Sequence, residues 1–349
     1  MQNTNPYELT FGKNPNQSIS RASEASDIIE SFTSTPSTQQ VFMITGVRGC
    51  GKTVFMTNIA KQLKSQKDWL VIELNSSQNY LVNLAAELSA TQKISKLLKQ
   101  SNVNISALGV SLGINSSTNS TGNEQIYIRN ILEHLKKQNK RLLICIDEAT
   151  ASKEMREFAS AYQIFVREEL PVYLLMTGLY ENIKEIRDEK NLTFLYRAPE
   201  IKLKPLNIGT IAANYATNFD LDESASLDMA KLTKGYSFAF QVLGYYTYRH
   251  NGDYMAALAE YRQYLEDYSY EKIWAECSTE DKKLLFALAQ SQTGKAKELK
   301  EILGWDDKKY PPYRDRLLKR QIVESESYGY LQFMLPEFDK FVKTKECFY

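Results

Sequence analysis

The sequence predicts an α/β fold in which helices cover both faces of a parallel sheet, followed by a helical region and a small third unit. Apolar runs of strand length alternate with helical patterns as far as Pro205, and strand patterns then stop. A glycine-bearing turn joins the first run directly to a helix. Buried strands that alternate with helices are typical of parallel sheets, whose crossovers cover both faces.

The predicted strands are continuous apolar runs, as expected for strands buried on both faces. They cover residues 41–44, 69–74, 142–146 and 172–176, with a shorter candidate at 201–203. Residues 102–124 are rich in Ser, Asn, Thr and Gly, so we expect an exposed insertion there that could hold a hairpin with a mobile tip.

The C-terminal part has a different pattern. Ser278, with Asp281 three residues later, resembles a capping box that opens a new helix. Helical patterns at residues 295–303 and 312–320 follow, and then two short strand patterns end the unit. Three helices and a small hairpin predict a winged helix.

Composition excludes several classes of protein. Lys and Arg number 43 and Asp and Glu number 42, so no bulk charge attracts nucleic acid or an anionic membrane. No apolar run approaches the roughly 18 residues that span a bilayer, and the N-terminal residues lack the apolar core of a signal peptide. We therefore expect a cytoplasmic protein that does not bind membranes. The four Cys and two His are scattered, which argues against a zinc site or a disulfide framework.

The turn after the first strand matches a phosphate-binding loop, which requires this strand–loop–helix context. Glycines let the backbone N–H groups of such a loop surround phosphates, and the helix N-terminus adds its positive dipole end. Lys52 would contact the β- and γ-phosphates of ATP, and Thr53 would bind Mg²⁺. The residues expected to bind the nucleotide are Gly46, Arg48, Gly49, Cys50, Gly51, Lys52, Thr53 and Val54.

Two acids, Asp147 and Glu148, follow the apolar strand at residues 142–146. Asp147 would hold the Mg²⁺ shell, and Glu148 would polarise the attacking water. Such a pair after a phosphate-binding loop predicts ATP hydrolysis. A water-activating Glu also argues against a small-molecule kinase, which must keep water away from the γ-phosphate.

In this order, the motifs resemble those of AAA+ ATPases of the initiator-like and STAND branch, which includes origin-recognition proteins and related archaeal and bacterial ATPases. Residues 11–12 and 20–24 resemble the N-terminal box, which lies against the adenine in relatives. The resemblance implies that Thr177, at the end of a sensor 1 strand, lies near the γ-phosphate. It also implies that Arg197 is an arginine finger for a neighbouring subunit. Alternatively, Thr177 only ends a strand and Arg197 is a solvated surface residue.

Residues 235–241 resemble the lid motif of this branch, in which a Gly-x-Pro turn approaches the nucleotide. Ser237 replaces the proline, and Phe238 stands where many relatives have the sensor 2 arginine. This departure predicts slow hydrolysis or a switch that rests with ADP. The resemblance implies a parallel αβα P-loop NTPase sandwich of five strands in residues 1–206, a helical lid domain in 207–277 and a winged-helix domain in 278–349.

The function expected from these motifs is that of an ATP-driven switch that binds ATP or ADP with Mg²⁺ and acts on a protein partner or on another copy of itself. One alternative is an initiator or transposition-helper ATPase whose winged helix binds DNA. A second is a signalling or conflict-system scaffold with a largely structural nucleotide. Basic residues favour DNA, but Asp306, Asp307 and Asp315 lie among them. The basic residues are Lys308, Lys309, Arg314, Arg316, Lys319 and Arg320, with Tyr328 at the tip of the predicted wing.

Overall fold

The computed structural model describes residues 4–10, 15–76, 79–91, 121–189, 193–325, 327 and 329–345. The chain divides into two compact units. The sheet unit comprises Arg21–Thr45 and Lys52–Lys202, and the lid unit comprises Met1–Ser20, Gly46–Gly51 and Leu203–Tyr349. Among the described residues, no helix has both the length and the apolar character needed to cross a membrane.

The sheet unit contains the predicted five-stranded parallel sheet, in the order β2-β3-β4-β1-β5. The strands are β1 Val41–Thr45, β2 Trp69–Leu74, β3 Arg141–Ile146, β4 Val172–Gly178 and β5 Glu200–Lys202. Strands β3 and β4 are neighbours, with Ile146 opposite Met176. Because parallel strands end at the same edge, the residues that follow β3 lie beside the end of β4.

Helices cover the sheet because its central strands are apolar along their whole length. The helices of this unit are α1 Ala22–Thr33, α2 Lys52–Lys64, α3 Tyr80–Ala90, α4 Thr121–Lys137, α5 Lys153–Arg167, α6 Tyr180–Asp188 and α7 Thr193–Tyr196. Every residue of β1 and β4 is buried. Helix α4 begins inside the predicted insertion at 102–124, and residues 102–120 lie outside the described part of the chain, as does the hairpin considered there.

The lid unit is mostly helical. We call its first part, α8 to α12, the lid; its helices are α8 Ile208–Phe219, α9 Glu223–Lys231, α10 Ser237–Arg249, α11 Leu258–Leu265 and α12 Glu271–Ala275, with a π-helical turn, Glu266–Tyr270, before α12. The part predicted to be a winged helix, for which we keep that name, follows as α13 Thr279–Gln290, α14 Ala296–Leu303, α15 Tyr310–Lys319, β6 Val323–Glu324, β7 Gln332–Phe333 and α16 Phe338–Lys343. The predicted capping box at Ser278 and Asp281 is present at the start of α13.

The lid and the winged helix lie in the same compact unit. Several side chains of the lid bind the winged helix, among them Lys234, Arg262 and Tyr270. Lys234 Nζ donates to the Phe333 carbonyl at 2.8 Å. Arg262 Nε lies 2.6 Å from Glu337 Oε2, and the Tyr270 hydroxyl donates to the Pro336 carbonyl. These contacts join helices that sequence patterns alone assign to separate domains.

The N-terminal segment packs on the lid through Tyr7, which is 2% exposed. Its ring stacks on Phe219 with centroids 5.6 Å apart, and its hydroxyl donates to Asn214 Oδ1 at 2.7 Å. A Cβ at position 244 would overlap this ring, which explains the glycine there. Residues 11–12 of the predicted N-terminal box lie outside the described residues.

Candidate functional site

The candidate phosphate loop, Gly46–Gly51, follows β1 and precedes α2 in the chain. Gly49 and Gly51 have φ values of 77° and 93°, in the left-handed region that favours glycine. A Cβ at Gly49 would also overlap the hydroxyl of Tyr236. Inside the loop, Cys50 donates its N–H to the Val47 carbonyl at 3.2 Å. The glycines at these two positions are therefore required by the backbone conformation.

Three consecutive carbonyls of the phosphate loop accept hydrogen bonds from residues 236–238, which we call the lid turn. Tyr236 Oη donates to Arg48 O at 2.6 Å, Phe238 N–H to Gly49 O at 3.1 Å, and Ser237 Oγ to Cys50 O at 2.9 Å. The lid turn opens α10. Sequence analysis expected this turn to approach the nucleotide, and it did not predict that the turn binds the loop backbone.

Tyr236 is 5% exposed, and its hydroxyl also lies 2.7 Å from Ser269 Oγ in the π-helical turn. Burial raises the pKa of Tyr236 well above its usual range, so the hydroxyl stays protonated at neutral pH. It therefore remains a hydrogen-bond donor to the Arg48 carbonyl.

The side chain of Arg48 pairs with Glu276, with Nη2 2.8 Å from Oε1. Glu276 follows α12, and its other carboxylate oxygen lies 3.7 Å from Nη2 of Arg320, whose side chain is 9% exposed. Arg320 also donates to the backbone carbonyl of Glu276 at 3.3 Å. One carboxylate is thus shared by an arginine of the phosphate loop and an arginine at the end of α15.

In the sheet unit, the predicted acidic site forms where β3 and β4 end. Thr53 Oγ1 donates to Asp147 Oδ2 at 2.7 Å, and Thr177 Oγ1 donates to Asp147 Oδ1. Thr177, which is fully buried, also accepts the N–H of Glu148 at 3.3 Å. The structure therefore brings together four residues that the sequence analysis selected separately. The adjacency of β3 and β4 places Asp147 and Glu148 beside Thr177, and Thr53 reaches them from the start of α2.

Glu148 has a φ of 51°, which is uncommon for a residue with a side chain. Strained backbone of this kind persists only where the surrounding structure holds it, and it occurs often at functional sites. Here the N–H of Glu148 binds both Asp147 Oδ1, at 3.1 Å, and Thr177 Oγ1. The Glu148 side chain itself is exposed.

Thr53 and Asp147 provide ligand chemistry that suits Mg²⁺. Mg²⁺ prefers oxygen ligands and keeps several waters, so one hydroxyl and one carboxylate are a sufficient protein contribution. The two oxygens are already in hydrogen-bonding contact. The residues present therefore fit a magnesium site.

The remaining predicted site residues are Lys52, Val54 and Arg197. Lys52 is the first residue of α2, and Val54 lies in its first turn, half-buried. Arg197 follows α7 and is exposed.

A polar network lies near Arg197. Arg187 binds Glu200 Oε2 at 2.7 Å, and Thr45 donates to the other oxygen of Glu200 at 2.7 Å. The sequence analysis did not identify this network, because no motif marks it.

The arginines of the winged helix are held in ion pairs. Arg316 Nη2 lies 2.7 Å from Oδ1 of Asp281, which is 2% exposed, and Arg314 Nη1 lies 3.0 Å from Asp315 Oδ1. Arg320 pairs with Glu276, as described above. Lys319 is exposed on the same helix, and Tyr328 lies outside the described residues. The predicted DNA-contacting arginines therefore have carboxylate partners within the winged helix and at its junction with the lid.

Two parts of the chain match different family models. Residues 21–176 match a family described as an ATPase domain predominantly from Archaea. Residues 267–342, from the π-helical turn into the winged helix, match a family described as a domain of unknown function. No curated protein matches the chain.

Solved structures similar to this one cover nearly the whole chain. A Walker-type ATPase of Pyrococcus abyssi is 17% identical with a TM-score of 0.64, and the match covers 93% of this chain and 95% of that one. The ORC2 protein of Aeropyrum pernix, in ADPNP–ADP complexes, is 13% identical with a TM-score of 0.64 and 96% coverage of both chains. The Cdc6p of Pyrobaculum aerophilum is 12% identical with a TM-score of 0.50, covering 96% of this chain and 95% of that one. At these identities the likeness shows a shared fold.

Proposed function

We propose that the chain is an AAA+ ATPase of the initiator-like group, and that it is an ATP-hydrolysing molecular switch that acts on a macromolecular partner. The observation that carries the proposal is the hydrogen bond from Thr53, beside Lys52, to Asp147 at the end of β3. It joins the two sequence motifs that a P-loop ATPase needs in one place.

In this proposal the phosphate loop and Lys52 bind the phosphates of ATP or ADP. Lys52 neutralises charge at the β- and γ-phosphates, and the N-terminus of α2 adds its positive dipole end. Thr53 and Asp147 would hold Mg²⁺, which supplies charge neutralisation at the phosphate oxygens when it is bound.

Glu148 is the proposed residue that orients the attacking water. Its backbone is fixed in a left-handed conformation by Asp147 and Thr177, which sets the starting direction of its exposed side chain. Thr177 acts through Asp147 and the Glu148 backbone in this proposal, instead of contacting the γ-phosphate itself. Arg197 is exposed, as an arginine that serves a neighbouring copy must be.

The proposed output of the switch is a change of contacts made by the lid and winged helix. The hydrogen bonds between the lid turn and the phosphate loop support this output, because they connect the nucleotide-binding backbone to α10. A protein partner or a second copy of the chain suits the ion-paired surface of the winged helix better than DNA does. Residues Arg314, Arg316 and Arg320 already have carboxylate partners, which leaves few of the predicted cations for phosphates.

Release of phosphate from ATP tests the proposed hydrolysis. We expect measurable turnover by the wild-type protein and a loss of at least about a hundredfold in Glu148→Gln, because a positioned general base contributes about 10²–10⁴-fold. The variant should still bind ATP. Glu157→Gln, which changes another Glu of the sheet unit, is the control and should keep wild-type turnover. Equal turnover in wild type and Glu148→Gln would remove Glu148 from the mechanism.

A further inference from the structure

The hydrolysis proposed above does not use four of the contacts that the phosphate loop makes. These are the three hydrogen bonds from the lid turn and the ion pair between Arg48 and Glu276. They are made at backbone carbonyls of the loop and at the side chain of Arg48, a position that varies among such loops. These contacts connect the phosphate loop to the lid turn and to Glu276.

Peptide geometry sets the direction of the N–H groups in the phosphate loop. In a planar trans peptide, the carbonyl of one residue and the N–H of the next point in opposite directions. The lid turn holds the carbonyls of Arg48 and Cys50, so the N–H groups of Gly49 and Gly51 point away from the lid turn. Loop N–H groups are the ones that bind phosphates. The lid turn therefore orients phosphate-binding donors without touching them.

Position 238, which follows the lid motif's Ser237, is a phenylalanine in this chain. A sensor 2 arginine would contact phosphate directly, but Phe238 has no charge. Its backbone N–H binds the Gly49 carbonyl at 3.1 Å, and its ring packs 6.0 Å from that of Tyr264. At position 238 the lid of this chain therefore binds the loop backbone through a main-chain N–H, whereas many relatives have an arginine side chain there that would contact phosphate.

The carboxylate of Glu276 has two arginine partners. It pairs with Arg48 at 2.8 Å and with Arg320 at 3.7 Å, so it links the phosphate loop to the last turn of α15. The neighbouring residue, Gln321, donates to the Leu203 carbonyl at 2.9 Å and holds this end of the helix in place. The loop thus has fixed partners in both parts of the lid unit.

From these contacts, which rest on the proposed ATP binding, we infer that Tyr236 and Glu276 are positioning residues that pre-organise the phosphate loop for nucleotide. The lid senses nucleotide through the loop backbone and through Arg48, and not through a side chain on the γ-phosphate. Since ATP and ADP share the phosphates that such a loop surrounds, weakening these contacts lowers the affinity for both nucleotides by a similar factor.

The first test compares Tyr236→Phe with Tyr261→Phe. Tyr261 is a matched control, because it is also a buried lid tyrosine whose hydroxyl donates to a backbone carbonyl, that of Leu232 at 3.0 Å. We expect Tyr236→Phe to raise the Kd for both ATP and ADP by about three- to tenfold, the worth of one neutral hydrogen bond. Tyr261→Phe should lower the melting temperature similarly and leave both Kd values unchanged.

The second test removes the charge of Glu276. Glu276→Gln should raise both Kd values in the same way, whereas Glu337→Gln, which breaks the pair with Arg262, should change only stability. This pair of variants also decides the matter if Tyr236→Phe does not fold. Kd values within about twofold of wild type in Tyr236→Phe and Glu276→Gln would overturn the inference. A wild-type protein that binds no nucleotide would instead overturn the proposed function on which it rests.

Discussion

The hydroxyl of Thr53 donates a 2.7 Å hydrogen bond to Oδ2 of Asp147. The two residues are 94 positions apart in sequence, and they meet because α2 begins and β3 ends at the same edge of the sheet. A hydroxyl and a carboxylate in this arrangement are suited to share one Mg²⁺, and the first prediction follows from this pair.

Thr53→Ala should raise the Mg²⁺ concentration needed for half-maximal ATP turnover by at least about tenfold, because it removes one of two oxygen ligands. A magnesium titration of phosphate release measures this. Thr57→Ala, one turn further along α2, is the control and should behave as wild type. If Thr53→Ala kept the wild-type magnesium requirement, the assigned metal site would be wrong.

Thr177→Val should reduce turnover by about tenfold or more and change the ATP Kd by less than about threefold, since the hydroxyl positions Asp147 and Glu148 instead of binding substrate. The variant should also lose about 1–3 kcal/mol of unfolding free energy, because Asp147 loses a buried donor. Thr177→Ser restores the hydroxyl and should recover most of the turnover. Failure of Ser to rescue would indicate that packing of the threonine methyl group matters more than the hydrogen bond.

Arg316→Ala should lower the free energy of unfolding by about 1–3 kcal/mol, because it leaves the buried carboxylate of Asp281 without its cation. Denaturant unfolding measures this free energy, and Lys319→Ala, on the exposed face of the same helix, should change it by less than about 0.5 kcal/mol.

The alternative in which the winged helix binds DNA predicts a different result. It requires steep salt-dependent DNA affinity that is lost in Arg314→Ala and Arg316→Ala while stability is kept.

Much of the sheet unit could be predicted from the sequence, because buried parallel strands are continuous apolar runs. The prediction for β2 is the same as the structure, residues 69–74, and that for β4 ends two residues early, at Met176 instead of Gly178. The phosphate loop and the acids Asp147 and Glu148 could be selected because their chemistry restricts them to fixed positions within a motif. An apolar run indicates only that its own strand is buried. The order of the strands in the sheet could therefore not be derived from the sequence.

The contacts of the lid unit were harder to predict. Tyr236 and Arg48 are 188 positions apart, and no local pattern indicates that a phenol will bind a loop carbonyl. Glu276 carries no motif, and its two arginine partners come from distant parts of the chain. The basic residues of α15 could be identified, but whether they contact solvent or acids depends on tertiary structure. This is why the sequence left DNA binding open.

Calorimetric titration of Mg·ATP into the wild-type protein and into Lys52→Ala tests the central claim most directly. The account predicts saturable binding by wild type, equal binding by Lys61→Ala on the exposed side of the same helix, and no detectable binding by Lys52→Ala. Absence of binding by wild type, or equally tight binding by Lys52→Ala, would contradict it.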